Sequence, residues 1–303
     1  MIRNDKLQGF VERVNGSRRP ITADIFLTEY CNNSCEYCRY KNIRSGKFMS
    51  FDEFKNIAVR LLKLGVRGFI LTGGGEPTIN PHFERICAWM DRRGMNYGVN
   101  TNMNVLRLVR PNFLKVSIDS GDKDEYKRIR GVDTLDKVLG NLREYVEWKR
   151  KNKVRTVVGV QCVALSEMQA KSFYDAVRGI GVDYIQFRPK EAVDGDVDYS
   201  DVLRWLDSVE DERIAKSFKF GMMDYRPRTC SGNWSVITVD ANGNVPYCCH
   251  RPDEIIGSVF DCDILSRLAE YKPDMGRCER PCRLSGANMF MDNRKDERDI
   301  YFV

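Results

Sequence analysis

Histidine is almost missing from this chain: two residues in 303, His82 and His250. Chemistry built on imidazole therefore has little to draw on, and His250 reads as structural or exposed rather than catalytic. The first twenty residues carry charges throughout and contain no apolar stretch of the signal-peptide kind. No apolar run approaches the roughly 20 residues that span a bilayer. These absences argue against export and against membrane insertion, and the expected location is cytoplasmic. Internal repeats and low-complexity tracts are missing too. The net charge of +6 is modest and spread out. Its densest run, Lys149-Arg150-Lys151-Asn152-Lys153, falls at the end of a predicted helix, where cations meet the negative end of the helix dipole. A solvated helix terminus explains it better than a nucleic-acid patch, so nucleic acid is only weakly supported as a partner.

Cysteine, in contrast, is plentiful, with eleven residues. An odd number in a long chain without an export signal points to metal or redox chemistry rather than to a disulfide framework. Cys31, Cys35 and Cys38 form a C-x3-C-x2-C run that leads out of an apolar segment, residues 21–27. Three thiolates from one loop can hold three irons of a [4Fe-4S] cluster and leave the fourth open to a ligand. The alternative is zinc, which takes four tetrahedral ligands, usually as two separated cysteine pairs. The nearest further cysteine is Cys87 and no histidine follows before His82, so iron and sulfur fit better.

From 21 to about 188, short β-branched runs alternate with amphipathic stretches, the pattern of repeated βα units around a parallel sheet. Six strands are expected, at 21–27, 68–72, 96–101, 113–118, 155–163 and 184–187. Ser50 with Glu53 and Ser166 with Gln169 predict two capping boxes. Asn80 and Pro81 predict the start of a third helix, with Gly94 at its end. That helix would place Phe83, Ile86, Cys87 and Met90 on one apolar face, making Cys87 a core residue, and Cys162 in its apolar strand has the same reading. The acidic stretch 191–198 reads as a linker, followed by a helix from Ser200. Six of the eleven cysteines lie between 230 and 282, which marks a second module. The expected organisation is a short extension at 1–20, a barrel at 21–219 and a cysteine-rich domain at 220–303.

The cysteine loop, with aromatic Tyr37 just before its last cysteine, closely resembles the cluster loop of the radical S-adenosylmethionine (SAM) superfamily. The fold that this resemblance implies is α/β: a partial (β/α)6 TIM-like barrel followed by a small cysteine-rich β-hairpin and helix domain. It also implies that SAM chelates the open iron through its amino and carboxylate groups, with Tyr37 near the adenine. In a parallel βα architecture, ligands gather at the carboxyl ends of the strands. The second strand ends in Thr72-Gly73-Gly74-Gly75-Glu76-Pro77, where glycines let backbone approach a ligand. This run is similar to the family's Gly-Gly-Glu-Pro segment, which implies that Gly74, Gly75 and Glu76 meet the SAM amino group. Asn100, Ser117, Asp119, Gln161 and Arg188 stand at further strand positions where the family gathers SAM and substrate contacts. Any one of them could instead be a turn former or cap. Ser117 and Asp119 match best, although Ser120 replaces the usual glycine of a Ser-x-Asp-Gly strand end.

In the second module, Asp240-Ala241-Asn242-Gly243 between 234–239 and 244–247 is a strong hairpin signal. The spacing from Cys230 through Gly243 to Cys248 resembles the entry to a SPASM or twitch auxiliary-cluster domain. That resemblance implies one auxiliary [4Fe-4S] cluster on Cys230, Cys248, Cys278 and Cys282, with a structural zinc as the alternative. Cys249 and Cys262 are left over and are expected to pack, with Cys249 as the alternative ligand.

The activity implied is reductive cleavage of SAM to a 5′-deoxyadenosyl radical that abstracts a substrate hydrogen. The second cluster would then take an electron in an oxidation or crosslinking of a peptide or small molecule. A flavodoxin or ferredoxin would supply electrons. Strand one is expected to begin by residue 21, so an amino-terminal peptide-leader domain is not expected; this lowers the peptide reading without removing it, because leader recognition can reside on a separate protein. Modification of a nucleoside or nucleic acid is the second reading. A non-catalytic iron-sulfur electron-transfer protein is the third.

Overall fold

The computed structural model describes residues 19–42, 45–191 and 197–292. Most of the expected extension at 1–20 and of the acidic linker lies outside the described residues. Eight strands form one wholly parallel sheet: β1 (Thr22–Phe26), β2 (Gly68–Thr72), β3 (Asn96–Thr101), β4 (Phe113–Ser117), β5 (Val157–Ala164), β6 (Tyr184–Pro189), β7 (Ile214–Lys216) and β8 (Val236–Val239). Their spatial order is β7-β6-β5-β4-β3-β2-β1-β8. The ends of that order do not pair with each other, so the sheet is a partial, open version of a TIM-like barrel.

The helices between the strands are α1 (Phe51–Leu64), α2 (Phe83–Arg92), α3 (Lys123–Arg130), α4 (Leu135–Lys151), α5 (Glu167–Val177) and α6 (Ser200–Ser208). Ala23 and Ile25 of β1 enter the hydrophobic core together with Phe54, Ile57 and Leu61 of α1. Each large side chain buried in this way contributes roughly 1.5–3 kcal/mol. Asp24 points the other way, as strand alternation requires, and is nevertheless buried.

The capping box before α1 is complete. Ser50 Oγ accepts from the Glu53 N–H at 3.2 Å, and Glu53 Oε2 accepts from the Ser50 N–H at 2.7 Å. The expected box before α5 is only half made. Ser166 caps the Gln169 N–H, but the Gln169 amide turns inward to take the Leu165 N–H and to donate to Val163 and Asp119 carbonyls. α2 starts at Phe83 rather than at Pro81; Asn80 Oδ1 accepts from the His82 N–H at 2.8 Å, and its amide nitrogen donates to the Leu27 and Met49 carbonyls at 2.6 and 2.9 Å. Its apolar face is as expected, with Phe83, Ile86, Cys87 and Met90 buried, and Cys162 is buried in β5.

The carboxyl-terminal segment departs from the expected hairpin. The 240–243 turn forms, with the Gly243 N–H donating to the Asp240 carbonyl at 3.1 Å, but its flanking strands part company. β8 joins the main sheet along β1, Thr22 opposite Val236, whereas β9 (Asn244–Pro246) pairs antiparallel with β10 (Ile255–Ser258). β8 extends the main sheet in parallel beyond β1, and β9 takes β10 as its antiparallel partner instead of β8. The hairpin is therefore β9–β10, and Cys248 lies in its loop. Two helices, α7 (Ile264–Glu270) and α8 (Ser285–Asp292), complete the segment. Among the described residues no helix is long and apolar enough to cross a membrane.

Candidate active site and cysteine centres

β1 delivers the chain into the cysteine loop at the carboxyl edge of the sheet. Cys35 is buried, Cys31 and Cys38 are partly buried, and none of the eleven cysteines forms a disulfide. The loop is strapped to the end of α3, with the Ser34 N–H donating to the Arg130 carbonyl at 3.1 Å and the Glu36 N–H to the Ile129 carbonyl at 2.9 Å. The Asn33 N–H lies 3.5 Å from Cys31 Sγ, and Asn102 Nδ2 lies 3.9 Å from it. Donors aimed at sulfur suit a metal-bound thiolate, so the loop fits a three-cysteine cluster.

The glycine-rich end of β2 presses directly on this loop. A Cβ on Gly75 would fall 1.9 Å from the Tyr30 carbonyl oxygen, so no other residue fits without displacing the chain. The next residue, Glu76, donates its N–H to that same carbonyl at 2.9 Å. Its carboxylate is wholly enclosed: Thr78 Oγ1 and Thr101 Oγ1 each donate at 2.6 Å and the Asn102 N–H at 2.7 Å. Burial pushes the carboxyl pKa up while these hydrogen bonds hold it down. Glu76 thus ties the end of β2 to the end of β3, and Gly74 and Gly75 present backbone beside the loop.

Asp119 follows β4 with a φ of +74°. Its carboxylate accepts from Tyr37 Oη, from Arg130 Nη1 at 3.1 Å and from the Val163 N–H at 2.8 Å. Arg130 Nη1 also reaches Tyr37 Oη at 3.0 Å, and Nη2 donates to the Ser117 carbonyl. The structure therefore brings Tyr37, Ser117 and Asp119 together around Arg130, a residue that sequence reasoning missed. Burial, followed by the Asp119 charge, raises the Tyr37 pKa and keeps its hydroxyl protonated. Asn100 donates to Thr72 Oγ1 at 3.3 Å, and its own Oδ1 is buried without a partner. Gln161 is buried opposite Ser117 in the β4–β5 register. Arg188 stands apart from these, 3.5 Å from Glu191.

A second centre lies in the carboxyl-terminal segment. Cys230, Cys248, Cys278 and Cys282 all line one cavity. Asn288 Nδ2 lies 3.6 Å from Cys230 Sγ, Arg251 Nη1 3.7 Å from Cys278 Sγ, and the Leu284 N–H 3.3 Å from Cys282 Sγ. Burial pushes the Cys230 thiol up to about 11, so it ionises only if something positive replaces its proton. Four thiols with N–H donors around them suit a [4Fe-4S] cluster fully ligated by protein. Cys249 is not among the lining residues and lies 3.4 Å from Arg283 Nη1. Cys262, expected to pack, is exposed in the turn before α7, while Val259 and Ile264 on either side of it enter the core.

Two further ion pairs join this segment to the sheet. Arg283 pairs with buried Asp24, and Arg39, which follows Cys38, pairs with Glu279, which follows Cys278. A charge in the middle of the apolar Thr22–Phe26 strand was the one sequence signal for the first pair; nothing in the sequence marked the second.

Residues 25–161 match the Radical SAM superfamily. The chain is 30% identical over 154 residues to the GTP 3′,8-cyclase of Clostridium perfringens, covering 44% of this chain and 45% of that one. It is 27% identical over 242 residues to a probable GTP 3′,8-cyclase of Sulfurisphaera tokodaii, 75% of each chain. The chain thus spans about half the length of the Clostridium relative. The crystal structure of Streptococcus suis SuiB bound to S-adenosylmethionine superposes with a TM-score of 0.63 at 14% identity, over 86% of this chain and 67% of that one. At that identity the likeness is one of fold alone.

Proposed function

We propose that this chain is a radical SAM enzyme that binds SAM on a [4Fe-4S] cluster held by Cys31, Cys35 and Cys38 and acts on a nucleotide. Bound there, the cluster supplies the electron that splits SAM into methionine and a hydrogen-abstracting 5′-deoxyadenosyl radical. The observation that carries the reading is the Gly74-Gly75-Glu76 turn seated on the cysteine loop, where Gly75 and Glu76 meet the Tyr30 carbonyl just before Cys31 and Gly74 meets Tyr40 just after Cys38. In this reading, Gly74 and Gly75 receive the SAM amino group and Glu76 holds their turn in place. Arg130 and Asp119 orient Tyr37 against the adenine. Asn100, Ser117 and Gln161 contact SAM or substrate, and the unpartnered Asn100 Oδ1 is an acceptor for either. Arg188, tied to Glu191, is kept for the substrate side.

Cys230, Cys248, Cys278 and Cys282 would hold an auxiliary [4Fe-4S] cluster, in a SPASM or twitch-like module at 220–303. A flavodoxin or ferredoxin-like donor in the cytoplasm would supply electrons. The nucleotide reading, weighed second on the sequence alone, is supported by the named activity of the GTP 3′,8-cyclase relatives. A peptide or crosslinking substrate has only fold-level likeness behind it.

The test is anaerobic: reconstituted protein with dithionite and SAM, with and without GTP. SAM-dependent 5′-deoxyadenosine that rises with GTP, together with loss of GTP, is expected. No 5′-deoxyadenosine under any condition would sink the enzyme reading and leave an electron-transfer protein. 5′-Deoxyadenosine indifferent to GTP and other nucleotides would sink the substrate reading only.

A further inference from the structure

The two cysteine centres are joined by residues that directly follow their cysteines. Arg39 comes next after Cys38. Its guanidinium pairs with Glu279, next after Cys278, and Nη1 donates to the His250 carbonyl at 2.7 Å, two residues after Cys248. Tyr40 Oη donates to the Cys249 carbonyl, and the Tyr40 ring packs on Gly74 and edge-on to Phe26, with centroids 5.3 Å apart. One short segment therefore touches the loops of Cys38, Cys248 and Cys278 at once.

Glu191, His250 and Glu279 converge closely enough to suggest a metal site. Cations already occupy those carboxylates, with Lys219 and Arg188 on Glu191 and Arg39 on Glu279. The group is better read as a charge network between the two centres. Arg39 and Glu279 are its members next in sequence to cysteines of both, and both are partly screened from solvent, with side-chain exposures of 27% and 13%.

Fixed charges near an iron-sulfur cluster set its potential, because reduction adds a negative charge that a nearby cation stabilises and a nearby anion opposes. We propose that Arg39 and Glu279 are a positioning pair that sets the reduction potentials of both clusters in opposite senses, Arg39 raising them and Glu279 lowering them. Glu279 also lies 3.2 Å from His250 Nδ1, so removing Arg39 leaves a carboxylate balanced only by His250, while removing Glu279 leaves the Arg39 guanidinium no longer neutralised by that carboxylate. The inference rests on the two-cluster reading of the proposed function.

The experiment is an EPR-monitored redox titration of the reconstituted full-length protein. Each signal is assigned with the form that lacks the other centre, C31A/C35A/C38A or C278A/C282A. Arg39→Gln should make both clusters harder to reduce and Glu279→Gln easier, each by roughly tenfold in the one-electron equilibrium, about 59 mV. Arg39→Lys should restore the wild-type values. Arg39→Gln and Glu279→Gln shifting the same way, or both leaving the potentials unmoved, would overturn the inference, since a purely structural pair predicts loss of iron without opposite signs. If the C31A/C35A/C38A form held no four-iron signal, the two-cluster reading itself would fall, and the inference with it.

Discussion

Arg130 donates through Nη1 to Asp119 Oδ2 at 3.1 Å, with only 5% and 1% of the two side chains exposed. This pair carries the cysteine loop from both directions. The backbone carbonyl of Arg130 holds the Ser34 N–H, while the side chain and Asp119 together hold the Tyr37 hydroxyl. Removing one partner of a buried pair leaves the other charged and unmatched, which costs about 3–5 kcal/mol. Arg130→Ala should therefore lower the unfolding free energy by an amount of that order in urea titration. Tyr37→Phe, which removes only a hydroxyl, should cost markedly less.

Gly75 has a purely steric role. With its added Cβ at 1.9 Å from the Tyr30 carbonyl, Gly75→Ala must shift the loop or the turn, and SAM-dependent 5′-deoxyadenosine should fall to background. Gly140→Ala is the control. It lies inside α4 with nothing within 4 Å of an added Cβ, so activity should be kept and stability should rise by roughly 0.5–1 kcal/mol.

The cysteines separate by the product each protects. Cys35→Ala should abolish 5′-deoxyadenosine formation, because the open-iron cluster loses a ligand. Cys278→Ala should keep some 5′-deoxyadenosine but lose coupled product. Iron analysis of the reconstituted wild type should give about eight irons per chain if both centres hold four-iron clusters. About four, with zinc bound as well, would make the second centre structural.

The capping box of α1 yields a prediction about acid stability. The Ser50 N–H, then the Ser50 hydroxyl and Lys47, lower the Glu53 carboxyl from 4.5 to about 2. A depressed carboxyl stabilises the fold fully above its unfolded value and loses that contribution as pH falls from 4.5 toward 2. Glu53→Gln should therefore narrow the gap in urea midpoint between about pH 5 and about pH 3. Ser50→Ala should cost about 1 kcal/mol at neutral pH.

What the sequence determined by itself was whatever repeats locally or is written as a short pattern. Six of the sheet strands, the Ser50 cap, the apolar face of α2 and the C-x3-C-x2-C loop all follow from spacing over a few residues, and all appear at or near their expected positions. The resemblance to the radical SAM superfamily, which residues 25–161 match, was legible for the same reason. Only the tertiary structure decided matters of partnership. β7 is three residues long and too short to carry a period. β8 lies along the edge of β1, a strand more than 200 residues earlier, and no local turn signal contains that pairing. Asp119 and Glu76 stand at the strand ends where ligand contacts were expected, and only the folded chain brings Arg130 and Tyr37 to the first carboxylate and Thr78 and Thr101 to the second. Pairs such as Asp24 with Arg283 and Arg39 with Glu279 join residues far apart in sequence, and only the packed chain brings them within reach.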